Sequence, residues 1–128
     1  GHGPYLKPDG GRVMASLADE TPVEPQDVQP DDMDVAVLAD WLEQHTRIQI
    51  RKAPRAWAGL RSFVPDQVPI AGFDAVCDGF FWLIGQGGFG IMMSPTLGRI
   101  TAELVTTGRL SAELTDLGIR REDLAPRF

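Results

Sequence analysis

Gly85-Gln86-Gly87-Gly88-Phe89-Gly90 follows the apolar run Phe80-Phe81-Trp82-Leu83-Ile84 and leads into a second apolar stretch. Four glycines in six positions carry a large conformational-entropy cost. Their use there is to let bare backbone approach a ligand, while a helix beginning at that point offers unpaired N–H groups to an anion or a polar ring edge. The bland alternative is a strand–helix turn with no ligand. The second residue with chemical reach is Arg61, a lone cation in Trp57-Ala58-Gly59-Leu60-Arg61-Ser62-Phe63-Val64-Pro65-Asp66. Arginine is seldom buried without an anionic partner, and its planar fork matches a carboxylate through two parallel hydrogen bonds. On spacing alone, a salt bridge to one of the 18 acidic residues is the simpler reading.

As letters, GQGGFG satisfies G-x-G-x-x-G. A working dinucleotide fingerprint sits in a βαβ unit of about thirty residues, with an acid for the ribose about twenty positions on. Here the strand and the helix are present and the second strand is not. Residues after Gly108 read RLSAELTDLGIRREDLAPRF, with no continuous apolar run, and Glu103 falls inside the helix. Against a ligand-free turn, the entropy cost of four glycines favours a loop that touches a cofactor held mainly elsewhere.

Several elements must position these residues. Tyr5-Leu6-Lys7-Pro8 and Arg12 to Leu17 read as two short strands around Pro8-Asp9-Gly10-Gly11. Ala18 to Pro30 is acidic, proline-dotted and loop-like. A helix begins at Asp31 or Asp32 and ends near His45-Thr46, with Met33, Val37, Leu38, Trp41 and Leu42 on a buried face. Ile48 to Val64 has strand character interrupted by Pro54. Val68-Pro69-Ile70-Ala71-Gly72 is a short apolar stretch, Ala75 to Gly79 a loop, and Phe80 to Ile84 the most apolar strand. The long helix covers about Ile91 to Thr107, with Leu97, Ile100, Leu104 and Val105 inward and Gly108 past its end. A short helical stretch around Ser111 to Leu117 follows. Trp41, Trp57 and Trp82 are assigned to packing.

A chain of 128 residues with 43% hydrophobic residues suits one domain burying roughly two thirds of its unfolded surface. Net charge is −6, and no basic stripe occurs, so nucleic acid is not an expected partner. No apolar run approaches the roughly eighteen residues of a membrane span. The opening Gly-His-Gly-Pro lacks the features of a signal peptide, and residues 1–3 read as a tag remnant. Cys77 is the only cysteine, which excludes an intrachain disulfide and favours a reducing, cytoplasmic setting. It is expected to be small and partly buried. The histidines, cysteine and carboxylates show no metal-ligand spacing.

WAGLRSFVPD, then VPIAGFD, then GFFWLIGQGGFGI and an apolar helix resemble the C-terminal part of the D-amino-acid-oxidase-like family of FAD-dependent oxidoreductases. Within that family the resemblance is to the FAD-linked amino-acid dehydrogenases, D-arginine dehydrogenase among them. It runs from about Tyr5 to Gly108, with three separated elements in family order. It implies an α+β fold: a mainly antiparallel sheet from the substrate domain plus a C-terminal helix of the flavin domain, as a fragment of a larger two-domain enzyme. Residues 4–75 would form the substrate-binding part, and 76–128 the flavin-edge strand, glycine loop, helix and tail.

The resemblance also implies roles. Arg61 matches the clamp on a substrate α-carboxylate, Tyr5 a substrate-side tyrosine, and Gly88 a glycine facing the substrate amine. Gly87, Gly88, Phe89, Gly90, Ile91 and Met92 match the loop on the flavin pyrimidine. Relatives often carry Tyr in place of Phe89 and Gln in place of Met92, so Met92 offers backbone but no polar side chain. The implied cofactor is FAD, and the implied partners are an amino-acid substrate and an N-terminal FAD-binding half. The implied reaction is oxidation of a Cα–N bond to an imino acid, which water converts to a 2-oxo acid and ammonia. No catalytic acid or base is assigned to these residues. Exposed apolar surface left by a missing half would favour a homodimer. Two competing readings are a non-enzymatic binding or assembly module and part of a glycine- or sarcosine-type amine oxidase.

Overall fold

Asp9 and Arg12 face each other across a two-residue turn, and Gly10 and Gly11 both have positive φ, 54° and 79°. That pair of left-handed residues matches the right-handed twist of a hairpin, and glycine adopts it without steric cost. The ladder so closed pairs β1 (Tyr5–Asp9) with β2 (Arg12–Ser16), antiparallel. The structure is a computed structural model that describes residues 3–128, so Gly1 and His2 of the expected tag remnant lie outside the described residues. Helix α1 (Asp32–His45) follows, then β3 (Ile70–Phe73), β4 (Phe81–Ile84), α2 (Gly90–Thr107), α3 (Ala112–Asp116) and α4 (Arg121–Leu124). The architecture is thus α+β with two separate two-stranded antiparallel sheets, β1–β2 and β3–β4. The chain divides into two compact units, the first running to Leu60 and the second spanning Arg61–Phe128.

In the first unit, Asp31 caps α1 by accepting from the N–H groups of Met33 (2.7 Å) and Asp34 (3.4 Å). This satisfies donors that the first turn leaves unpaired. His45 Nδ1 lies 2.8 Å from Trp41 O, and its ring stacks on Trp41 with centroids 4.7 Å apart. The expected apolar face is buried only toward the end of the helix. Leu42 is buried and Leu38 and Trp41 half-buried, whereas Met33 and Val37 are exposed.

Three further expectations need correction. Ile48 to Val64 forms no strand. Strand character is only realised against a ladder partner, and Pro54 removes a donor amid the cations Arg51, Lys52 and Arg55. Trp57 is 62% exposed rather than packed, with the Arg55 guanidinium 5.6 Å from its ring centroid. Cys77 is exposed rather than partly buried, because it sits in the connection between β3 and β4.

The second unit holds the core. In β3–β4, Ile70 pairs with Ile84, Ala71 with Leu83, Gly72 with Trp82 and Phe73 with Phe81. Asp74 shapes the connection: its carboxylate accepts from the N–H groups of Val76 and Cys77 and from Trp82 Nε1. Ala71 packs with Leu97, Ile100 and Leu104 of α2, Leu114 of α3 and Leu124 of α4. Positions 97, 100 and 104 lie three and four apart, hence on one helix face. Val105, expected in that stripe, is exposed, since it falls one position round from Leu104. Gly108 ends α2 at φ 71°, and its N–H donates to Leu104 O at 3.0 Å. The four-residue α4 was not anticipated, its acidic first turn lying in a segment too short to show a period.

Candidate functional site

The loop between β4 and α2 is built against the stretch Arg61-Ser62-Phe63-Val64. Gly87 N–H donates to Ser62 O at 3.0 Å. A Cβ at Gly85 would stand 2.9 Å from Val64 Cγ1, and one at Gly87 only 2.5 Å from Phe63 Cε1. Gly85 and Gly87 also have positive φ, 74° and 54°. Both reasons require glycine: backbone conformation and close approach of a neighbouring side chain.

The same approach brings Arg61 to Gly88. A Cβ at Gly88 would be 3.1 Å from Arg61 Nη1 and 3.4 Å from its Cδ. The guanidinium carbon also lies 5.1 Å from the Phe63 ring centroid, within cation–π range. Arg61 is half-buried and Gly88 exposed.

Helix α2 begins directly after the loop. Its N-cap, Phe89, supplies no side-chain acceptor, and no acidic residue stands in the first turn. The first i to i−4 bond is made by Met93 N–H to Phe89 O at 2.9 Å. The amides of Gly90, Ile91 and Met92 therefore precede the helical ladder, at the positive end of the helix dipole. Phe89 N–H is turned inward to Gln86 O at 3.0 Å, as Gly87 N–H is to Ser62 O. Ile91 and Met92 are 94% and 71% exposed. A cavity of about 480 Å³ beside Glu43 and Thr46 and one of about 380 Å³ beside Arg109 and Arg120 are lined by none of these residues.

Of the sequence-predicted set, the structure brings together Arg61, Gly87, Gly88, Phe89, Gly90, Ile91 and Met92 in the second unit. Tyr5 is exposed in β1 of the first unit. Phe63 and Val64, whose side chains press on Gly87 and Gly85, carry no sequence signal beyond the apolar run around Arg61. The ion pair of Asp66 with Arg127, Nε–Oδ2 2.8 Å and Nη2–Oδ1 2.7 Å, has no sequence signal at all. Among the described residues no cluster of His, Cys, Asp and Glu could hold a metal, and no helix is long and apolar enough to cross a membrane.

Arg61 on its apolar segment, the glycine loop pressed to it and the start of α2 thus lie together in the second unit. The model of the family "FAD dependent oxidoreductase" matches residues 1–104, and the chain belongs to that family. It is similar to the D-amino acid dehydrogenase of Sinorhizobium medicae (strain WSM419), 38% identical over 65 residues. That match takes in 51% of this chain and 15% of the length of that protein.

Proposed function

We propose that this chain supplies the carboxylate clamp and the flavin-facing loop of an FAD-dependent enzyme that oxidises the Cα–N bond of an amino acid, a D-amino acid in the first instance. The observation that carries the reading is the contact of Arg61 with Gly88. It sets a bidentate cation beside the loop that starts α2. The similarity to a D-amino acid dehydrogenase supports the same reading.

The residues fit the edge of a flavin. Glycine at 85, 87 and 88 keeps side chains off the loop, and the amides of Gly90, Ile91 and Met92 have no capping side chain. When bound, the flavin would supply the two-electron acceptor for the substrate α-hydrogen. The chain's own residues do the rest by binding and orientation. Arg61 holds the α-carboxylate in its fork, which fixes the direction of the α-carbon. Phe63 stiffens that guanidinium from one side, as a ring within cation–π reach does. The first-turn amides of α2 favour negative charge near them, most strongly where water is excluded. Ile91 and Met92 form an apolar surface that a ring or a neighbouring polypeptide would cover. The adenine side of the cofactor is assigned to polypeptide outside these residues, because α2 is not followed by a second parallel strand.

The test is steady-state dye reduction by the FAD-loaded protein that contains this chain, with D-amino acids as substrates. Arg61→Ala is expected to raise KM for the amino acid about thirtyfold or more, the usual result of removing one side of a buried charged pair. An unchanged KM would remove the clamp from the mechanism. Turnover of primary amines lacking the carboxylate, equal to that of amino acids, would do the same.

A further inference from the structure

Arg127 gathers three parts of the second unit onto one guanidinium. Nε and Nη2 donate to the two oxygens of Asp66, 2.8 and 2.7 Å away. Nη2 also donates to Val68 O. Nη1 donates to Asp123 O at 3.3 Å and Ala125 O at 3.1 Å. A guanidinium has five N–H donors, and these contacts use all of them. The flanking residues lie across the β3–β4 hairpin. Pro126 Cδ stands 2.8 Å from where a Cβ at Gly72 would be, and the Phe128 ring centroid is 5.0 Å from that of Trp82. Gly72 and Trp82 are ladder partners, so segment 125–128 crosses one face of the hairpin. Ala71, one residue along, points to the other face and into the core.

What this segment grips is the turn that aims the Arg61 stretch. Gln67 has φ 60°, a left-handed conformation that a side-chain-bearing residue adopts at a cost. Three contacts hold it there: Gln67 N–H to Val64 O at 2.9 Å, Val68 N–H to Asp66 Oδ1 at 3.1 Å, and Arg127 on Asp66 and Val68. From Val64 the stretch runs back along the glycine loop to Arg61, with Ser62 O accepting from Gly87 N–H. The Arg61 stretch is thus pinned at one end by the loop and at the other by the turn.

We propose that Arg127, through Asp66, is a positioning residue for Arg61: it locks the 64–68 turn so that the Arg61–Val64 stretch stays seated on the glycine loop. Its consequence for substrate rests on the carboxylate-clamp reading above. Arg127 bonds to Asp66 and Val68 of the turn and to Asp123 and Ala125, and it acts on Arg61 through the turn.

Residue-resolved amide exchange on the chain tests the mechanical step. Arg127→Lys keeps the charge and loses the fork; Arg127→Gln and Asp66→Asn remove the pair. In each, Gly87 and Gln67 amides are expected to exchange about three- to fivefold faster, the scale of a partly exposed ion pair. The Gly108 amide, bonded to Leu104 O in the core helix, is expected to keep its rate. The charge swap Asp66→Arg with Arg127→Asp is expected to recover part of the Gly87 protection. In the FAD-loaded protein, Arg127→Lys is expected to raise amino-acid KM by the same few-fold with kcat within about twofold. Gly87 exchange unchanged in the folded variants overturns the proposal, and so does a fall in kcat at constant KM. Failure of the clamp reading shows separately, as an Arg61→Ala enzyme with unaltered KM, and leaves the exchange result standing.

Discussion

Arg61 occupies the space that a side chain at Gly88 would need, with Nη1 3.1 Å and Cδ 3.4 Å from the position of a Cβ there. Gly88 has no positive φ to explain the residue, unlike Gly85 and Gly87. The absent side chain is therefore about the guanidinium. Gly88→Ala is expected to leave the fold intact, since the obstructing atoms belong to a flexible side chain that can swing. It should nonetheless displace the fork. In the FAD-loaded protein we expect amino-acid KM to rise about tenfold, from a geometric misplacement of this size, while the urea midpoint stays within error. A large stability loss with normal KM would show that Gly88 serves the fold alone.

Gly87 is a different case. Its added Cβ would lie 2.5 Å from an aromatic carbon of Phe63, and φ is 54°. Neither a ring edge nor a left-handed backbone gives way cheaply. Gly87→Ala is expected to cost about 2 kcal/mol or more in urea denaturation. Gly90→Ala is the control, because Gly90 is the first residue of α2 and its Cβ would meet only the Gln86 side chain, Cβ at 3.4 Å and Cγ at 3.9 Å. It should be neutral or stabilising by up to about 1 kcal/mol. Equal losses at the two positions would remove Phe63 and the backbone from the explanation.

Stability should fall with acid in a window set by four carboxylates. Asp66 is held below its ordinary pKa first by the Arg127 hydrogen bond, and Asp74 by Trp82 Nε1 and the Cys77 and Val76 amides. Glu103 is lowered by the Ser111 amide and then Arg99, and Glu113 by Arg99. Each folded pKa lies below the unfolded one, so near pH 4 the unfolded chain binds more protons. The stabilisation is complete above the unfolded values and is lost as pH falls through the folded ones. Asp66 and Glu113 are exposed and Asp74 and Glu103 half-buried at the surface, so each share is screened and small. We expect a flat urea midpoint from pH 7 to about 5 and a decline below about 4.5. Asp66→Asn should start lower at pH 7 and decline less. A wild-type midpoint unchanged down to pH 3 would contradict these pairings.

The elements that local chemistry dictates were readable from residues. Asp31 announced α1, Gly10-Gly11 the first hairpin, and the apolar run with its glycines the order of β4, loop and α2. Arg61 was readable as a chemical group, but not its seat on Gly88. That depends on two stretches more than twenty residues apart coming into register. The error at Ile48 to Val64 has the same origin. Strand propensity describes a surface that fits a sheet, and only a partner strand turns it into one. Arg127 and Asp66 are 61 positions apart, and no periodicity or motif couples them. Likewise, α4 is a single turn whose burial of Leu124 comes from tertiary packing and not from its own propensity.

The start of α2 offers a sharper check on local compensation. Pro95 is the sixth residue of the helix and has no N–H, so Ile91 O lacks its i+4 donor. Ser94 Oγ donates to that carbonyl instead, at 2.8 Å. The hydroxyl thus repairs the helix where the loop residues Ile91 and Met92 are displayed. Ser94→Ala is expected to cost about 0.5 kcal/mol, the lower end for a solvent-accessible hydrogen bond. Combined with Pro95→Ala, which restores a backbone donor, the same change should cost next to nothing. The two substitutions are then non-additive by about that amount in a double-mutant cycle. Strict additivity in urea denaturation would mean that the serine hydroxyl does not serve Ile91 O, and that the turn presenting Ile91 and Met92 is held by the core contacts of Leu97 and Ile100 alone.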